Sequence, residues 1–285
     1  MRFQIEHLTR YEYNRPVFHE PHTFRLRPRC DSFQRLIRFQ LQIEPKPAVL
    51  SETLDAEGNA VAHAWFSGLT DSLTTRVSFE AETLRQNPFD YLLLLDQAAD
   101  ELPLRYRAEL LPVLAACLDS RSAADGPVAR FARSLAGEVN GQVLPFLLQL
   151  SRQIHDEFDV VVREEGEPWS PERTLNGRLG ACRDVTVLFV ECCRSLGIAS
   201  RFVSGYQEGD TSAERNYMHA WAEVYVPGGG WRGYDPTHGL AIADRHIAVA
   251  ASAQPALAAP VSGTFRGTGV SSKIHTELTI RTGRA

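Results

Sequence analysis

Apolar and polar positions alternate along the first 85 or so residues of the chain. Phe3-Gln4-Ile5-Glu6-His7-Leu8 follows the two-residue period of a strand, and Leu36 to Ile43 does the same with apolar residues at 37, 39, 41 and 43. Pro45-Lys46-Pro47 ends that strand, because proline has no N–H to give a ladder. Asp55-Ala56-Glu57-Gly58-Asn59 has turn chemistry, and Leu73 to Ala81 alternates again. Short strands separated by turns predict an antiparallel β-sandwich over 1–85.

The period then lengthens. Tyr91, Leu92, Leu95, Leu102, Leu110, Leu111, Leu114 and Leu118 recur at helical spacing, interrupted by Pro103 and Pro112. Asp125-Gly126-Pro127 introduces a helix carrying Phe131, Leu135 and Val139. Val143 to Phe158 forms another, with Leu147, Leu150, Ile154 and Phe158 on one stripe. Ser170-Pro171-Glu172-Arg173 reads as an N-cap with proline at N1. Val185 to Leu196 is a strongly apolar helix, stopped by Gly197 in the C′ place. Arg201 to Val203, Ala220 to Val226, Trp231 to Asp235 and Ile274 to Ile280 read as strands, whereas the Ala-rich stretch 248–260 is weakly patterned and is expected to be a loop. The fold class is therefore α+β: a sandwich over 1–85, a helical connector over 86–150, and a core over 151–285 in which a helix lies on an antiparallel sheet.

Composition narrows the chemistry. In 285 residues, 30 Lys+Arg stand against 35 Asp+Glu, a formal charge of −5 with no long basic run, which argues against a nucleic-acid partner. No stretch approaches the roughly 18–20 apolar residues of a membrane helix, and the start Met1-Arg2-Phe3-Gln4-Ile5-Glu6 has no apolar signal core. The expectation is a cytoplasmic protein without a membrane partner. Five cysteines (Cys30, Cys117, Cys182, Cys192 and Cys193) lack the count and spacing of a disulfide framework, and no CxxC pair suggests zinc. GxSxG, P-loop and GxGxxG motifs are missing too, so no nucleotide or metal cofactor is expected.

Cys182 stands apart from the other four thiols, which read as packing residues. It directly precedes the apolar helix, after Leu179-Gly180-Ala181. A helix N-terminus offers unpaired N–H groups and partial positive charge, which favour thiolate over thiol and point donors at a developing oxyanion. A thiolate catalyst needs a base and a group to orient it. His219 opens one strand, Asp235 closes the next, and Pro227-Gly228-Gly229-Gly230 between them is a reverse turn. If Val226 pairs with Gly230, Asp235 falls opposite Trp221 and on the face of His219, one diagonal step of about 7 Å away. If Val226 pairs with Trp231, Asp235 faces the other way and, without a bulge to rescue it, the triad fails. His238 could replace His219, and His219, Asp235 and His238 match no usual zinc spacing. His7, His19, His22 and His63 read as surface or structural, and His155 as solvated.

The runs Gly180-Ala181-Cys182-Arg183-Asp184, Cys193 to Ile198, Arg201 to Tyr206, Met218 to Tyr225 and Gly230 to Thr237 resemble the transglutaminase-like superfamily. Within it the chain is most similar to bacterial transglutaminase-like enzymes and cysteine proteases that carry an N-terminal β domain, here in His7 to Tyr13, Leu26 to Arg29 and Asp55 to Asn59. The resemblance implies a papain-like core with Cys182 as nucleophile, His219 as base and Asp235 as orienting group. Relatives commonly carry Gly-Arg-Asp-Tyr where this chain has Ala251-Ser252-Ala253-Gln254-Pro255, so the role of that stretch is not transferable. The implied activity is cysteine-dependent acyl transfer on a peptide or glutamine-type amide, more economically hydrolysis than crosslinking; the Cys182 amide is the expected oxyanion donor, joined by an indole N–H such as that of Trp169, for which plain packing is an equal alternative. The alternative is a non-enzymatic binding or assembly protein that keeps the fold; a peptide or protein amide is the expected partner in the first case.

Overall fold

The computed structural model describes residues 1–91, 101–208 and 215–283. Leu92 and Leu95 of the expected helical stretch lie outside them. The first part is all strand: β1 (Arg2–His19), β2 (His22–Phe24), β3 (Gln34–Glu44), β4 (Val49–Leu54), β5 (Ala60–Trp65) and β6 (Thr70–Thr83). Helices α1 (Leu111–Leu118), α2 (Pro127–Glu138) and α3 (Val143–Glu157) follow. Then come β7 (Asp159–Val160), α4 (Pro171–Gly177), β8 (Leu179–Gly180), α5 (Cys182–Ser195), β9 (Ser200–Gln207), β10 (His219–Val226), β11 (Gly230–Asp235), β12 (Leu240–Ala241) and β13 (His246–Ser252). Three strands close the chain: β14 (Val261–Ser262), β15 (Phe265–Arg266) and β16 (Ser272–Gly283).

The fold is α+β, as the periodicities indicate. Two antiparallel sheets, one built on β1, β3 and β6 and the other on β2, β4 and β5, share a core of Phe3, Ile5, Val77 and Phe79 with Phe24, Ala62, Ala64 and Phe66. Strands from the far end of the chain complete both: β16 pairs with β1 over twelve positions, and β14 pairs with β2. The alternation on β1 buries residues 3, 5, 7 and 9. That face starts as hydrophobic core and continues through His7 and Thr9 into a cleft.

The core sheet has the order β12-β11-β10-β9-β13, all antiparallel. On one face Val185, Leu188, Phe189 and Cys192 of α5 pack with Ala222 and Val224 of β10, joined by Phe146, Leu147 and Leu150 of α3. Burying such side chains stabilises by about 1.5–3 kcal/mol each. Gly197, with φ +73°, takes the left-handed conformation that ends α5. Ser170 caps α4 by accepting from the Arg173 amide at 3.3 Å, with proline at N1.

The Ala-rich stretch is not a loop over its whole length. Residues 246–252 form β13, every one of them buried. A strand covered on both faces has no alternation to read. Its outer edge is satisfied by two side-chain amides from the sandwich. Gln34 Nε2 donates to the Ala248 carbonyl at 2.8 Å while its Oε1 accepts from the Ala248 amide at 2.9 Å. Asn59 makes the same pair of bonds with Ala251, both at 2.9 Å. β9 approaches β13 closely at one glycine: a Cβ on Gly205 would lie 2.1 Å from the Ile247 carbonyl oxygen. Among the described residues, no helix is long and apolar enough to cross a membrane.

Candidate active site

Ala181, the N-cap of α5, has no side-chain oxygen to offer the first-turn amides. The cap is supplied in reverse: Asp184, in the first turn, accepts from the Ala181 amide at 2.7 Å. The amides of the opening residues, Cys182 among them, are the orphan donors of a helix start. Asp184 also accepts from the Trp169 amide at 2.8 Å and from Arg163 Nη2 at 2.6 Å, with no exposed surface of its own. One buried carboxylate thus fixes the loop 163–169 to the first turn that carries Cys182. Thr186 Oγ1 is shared between the carbonyls of Cys182 at 2.8 Å and Ala220 at 3.1 Å, which ties the same turn to β10.

On the sheet, Val226 pairs with Gly230 and Ala222 with Tyr234. This is the register that puts Asp235 on the face of His219. His219 Nε2 donates to Asp235 Oδ2 at 2.8 Å, with both groups buried. The other ring nitrogen is left for Cys182, whose half-buried thiol interacts with the His219 ring and the Ala220 amide. Burial pushes the Cys182 thiol up, but the hydrogen bond and charge of His219 outweigh it, and its pKa falls below the ordinary thiol value. Burial likewise opposes the imidazolium of His219, yet the charge and hydrogen bond of Asp235 raise it above its usual range. The arrangement favours a thiolate–imidazolium pair, a nucleophile with a proton donor beside it. The other thiols differ. Burial raises Cys117, Cys192 and Cys193, and Cys30 is exposed rather than packed.

Cys182, His219 and Asp235 are therefore together, and Trp169 is not with them. Its ring lies under Arg173 at 3.8 Å and Arg163 at 4.9 Å, and its amide is spent on Asp184. Pro168, not Trp169, reaches the cleft. His238 is exposed, its ring 5.4 Å from that of His219. Ligand atoms of His219, Asp235 and His238 lie within 4.8 Å of one another, but the carboxylate is already filled by N–H donors. Its Oδ1 accepts from the amides of Thr237 at 2.9 Å and His238 at 3.3 Å. His155 is not simply solvated: its Nδ1 donates to the Thr237 carbonyl at 2.8 Å.

Sequence reasoning missed His246, whose Nε2 donates to Asp235 Oδ2 at 3.0 Å. Nothing in the local sequence marks it, since β13 reaches the site from beside β9. It also missed the cleft wall. A cavity of about 980 Å³ runs past Cys182 and His219, bounded by Val160 to Val162 on one side and by His7, Thr9 and Ile274 of the sandwich on the other. His7 Nδ1 is 2.9 Å from the Tyr206 hydroxyl, so it is a buried part of this wall and not a surface residue.

Comparison with known proteins concerns the family and the fold. The model of the bacterial transglutaminase-like N-terminal region matches residues 3–82, and that of the transglutaminase-like superfamily matches residues 130–236. An uncharacterized protein of Mycobacterium leprae (strain TN) is 27% identical over 277 residues, covering 94% of each chain. A protein-glutamine gamma-glutamyltransferase of Pseudomonas aeruginosa is 35% identical over 101 residues, which are 32% of this chain and 15% of that one. The crystal structure of a "Putative Cysteine Protease from Cytophaga hutchinsonii" superposes with a TM-score of 0.70 at 19% identity, covering 100% of this chain and 92% of that one, and so shares the fold.

Proposed function

Because the chain belongs to the transglutaminase-like superfamily, we propose that it is a cysteine-dependent acyl-transfer enzyme acting on a peptide or glutamine-type amide. One observation carries the reading: a thiol at the start of α5 facing a histidine that is held at 2.8 Å by a buried carboxylate. The Cys182 thiolate attacks the amide carbonyl carbon and forms a C–S bond. Negative charge gathers on the carbonyl oxygen, beside the first-turn amides of α5. His219 passes its proton to the leaving nitrogen as the C–N bond breaks, leaving a thioester. Water or an amine then attacks the thioester, giving its proton to His219 while the thiolate departs. Asp235 keeps the imidazole oriented and stabilises its charged form.

Hydrolysis is the favoured second half, since water needs no separate acceptor site. The five unpaired thiols support a reducing, cytoplasmic compartment. Iodoacetamide labelling tests the reading. Cys182 should alkylate selectively near neutral pH, and His219→Ala should move its profile up toward the ordinary thiol pKa of about 8.5. Labelling no faster than that of exposed Cys30 would sink the reading. Ammonia release from glutamine peptides, with and without an added amine, separates hydrolysis from transfer.

A further inference from the structure

Three consecutive valines stand exposed beside the nucleophile. Val160, Val161 and Val162 all line the cleft, together with Ala181 and Cys182. Side chains of an extended chain alternate between two faces, so a cavity touched by three residues in a row meets the backbone edge as well as one face.

That edge is free. Among the described residues β7 pairs with β8 alone, in parallel. The amides of Asp159 and Val161 donate to the carbonyls of Arg178 and Gly180 at 2.9 and 3.0 Å, and the Arg163 carbonyl accepts from Nη1 of Arg183 at 2.5 Å. The peptide groups of 159, 161 and 163 are thus spent toward β8 and the start of α5. Those of Val160 and Val162 point the opposite way, and neither makes a hydrogen bond among the described residues. Proteins usually blunt an unpaired edge with charge, proline or a covering segment, because it templates pairing with another chain. Residues 160–162 carry no charge and no proline, and they open on the cleft that holds Cys182.

We propose that the substrate is an extended polypeptide segment that adds a strand to β7, its main chain pairing with the N–H and C=O groups of Val160 and Val162 while one of its amides reaches Cys182. The occupant follows from the nucleophile. Cys182 takes an amide, and a polypeptide repeats the N–H and C=O groups that this edge leaves unanswered. Apolar side chains suit the groove, because the edge presents valines and the facing wall presents Ile274 and Ile280 of β16. A small amide such as free glutamine gains none of these main-chain bonds. The reaction at Cys182 rests on the acyl-transfer reading, whereas docking on β7 is measurable by itself.

Peptide chloromethyl ketones test the docking on the full chain. The Cys182 thiolate displaces chloride from the terminal CH2 and forms a C–S bond, so the alkylation rate reports how well the peptide is held. Acetyl-Leu-Val-Leu-Gly chloromethyl ketone should react at least about tenfold faster than acetyl-Gly chloromethyl ketone. Methylating one peptide nitrogen of the longer reagent at a time should cost about three- to tenfold at alternate residues alone, since only alternate groups face β7. Val160→Pro deletes the edge N–H at a position where an edge strand tolerates proline, and should cut the ratio of long to short reagent by a similar factor. Val160→Ala, which keeps the N–H, should lose less. Cys182→Ser should bind acetyl-Leu-Val-Leu-Gly-amide at millimolar concentration or below, read by calorimetry. Such binding without selective alkylation of native Cys182 would support the docking and sink the acyl-transfer reading alone. Equal rates for the two reagents, indifference to methylation at every residue, or an undiminished ratio in Val160→Pro would overturn the docking, as would failure of Cys182→Ser to bind.

Discussion

His246 donates its Nε2 proton to Oδ2 of Asp235 at 3.0 Å, the same oxygen that accepts from His219 at 2.8 Å. Burial would raise the Asp235 carboxyl, but the charge and hydrogen bond of His219 and the bond from His246 hold it far below the usual carboxylate range. Burial lowers His246 despite the neighbouring carboxylate, so it donates as a neutral imidazole. A charge taken wholly out of water is costly unless every lone pair is answered. Here two imidazoles and two backbone amides answer them.

Replacing His246 with phenylalanine keeps the ring volume and removes one donor from Asp235. Leaving that lone pair buried and unanswered costs on the order of 1–3 kcal/mol. The urea midpoint should therefore fall. Because more of the carboxylate's charge is then left for His219, the pH profile of Cys182 alkylation should move to lower pH. His246→Asn, which can present an amide donor, should restore the native profile. A profile in His246→Phe that overlays the native one would assign His246 to packing alone.

Asp184 answers the amides of Ala181 and Trp169 and the guanidinium of Arg163 with one buried carboxylate. Asp184→Ala strands all three partners, so it should destabilise the fold by about 3 kcal/mol or more. Urea midpoints measure the loss. Limited proteolysis should show new cleavage within residues 163–169, the loop that this carboxylate holds.

Gly205 lies where β9 meets β13 and the Trp221 ring. An added methyl would sit 2.1 Å from the Ile247 carbonyl oxygen and 2.5 Å from the ring edge. Gly205→Ala must therefore push two strands apart, at a cost of about 1–3 kcal/mol. Because Trp221 lies against His246, with ring centroids 5.1 Å apart, its near-ultraviolet circular dichroism should change as well. Native stability in this variant would contradict the close packing described.

His7 is held neutral in the cleft wall, its pKa pushed down to about 4 by burial. The unfolded chain takes up a proton near the ordinary value of about 6.5. The folded chain refuses that proton until about pH 4, so stability falls as pH drops through this window and levels off below it. The contribution of His7 is at most about 1.4 kcal/mol per pH unit. Urea midpoints compared at about pH 7 and about pH 5 should fall less in His7→Gln than in the native chain. An equal fall in both would place the acid sensitivity elsewhere.

Much of this protein is written in short stretches of its sequence. The alternation through Phe3 and Ile5 makes β1, and the apolar run after Ala181 makes α5 with Cys182 at its start. Pro227-Gly228-Gly229-Gly230 makes a hairpin whose tight turn pairs Val226 with Gly230 and delivers Asp235 to His219. Each of these is decided within about twenty residues, where periodicity and turn chemistry act directly. The remaining features depend on segments far apart in the chain. The stretch 246–252 is a strand because Gln34 and Asn59, about two hundred positions earlier, supply its hydrogen-bond edge. His246 meets Asp235 only because that strand lies beside β9, and His7 joins the cleft only because β1 and β16 stand against the core. Trp169, placed by sequence near the oxyanion, is turned aside by Asp184 and two arginines. Local sequence determined that Cys182, His219 and Asp235 come together. Tertiary structure decided what surrounds them, because pairing between distant segments leaves no period in either one.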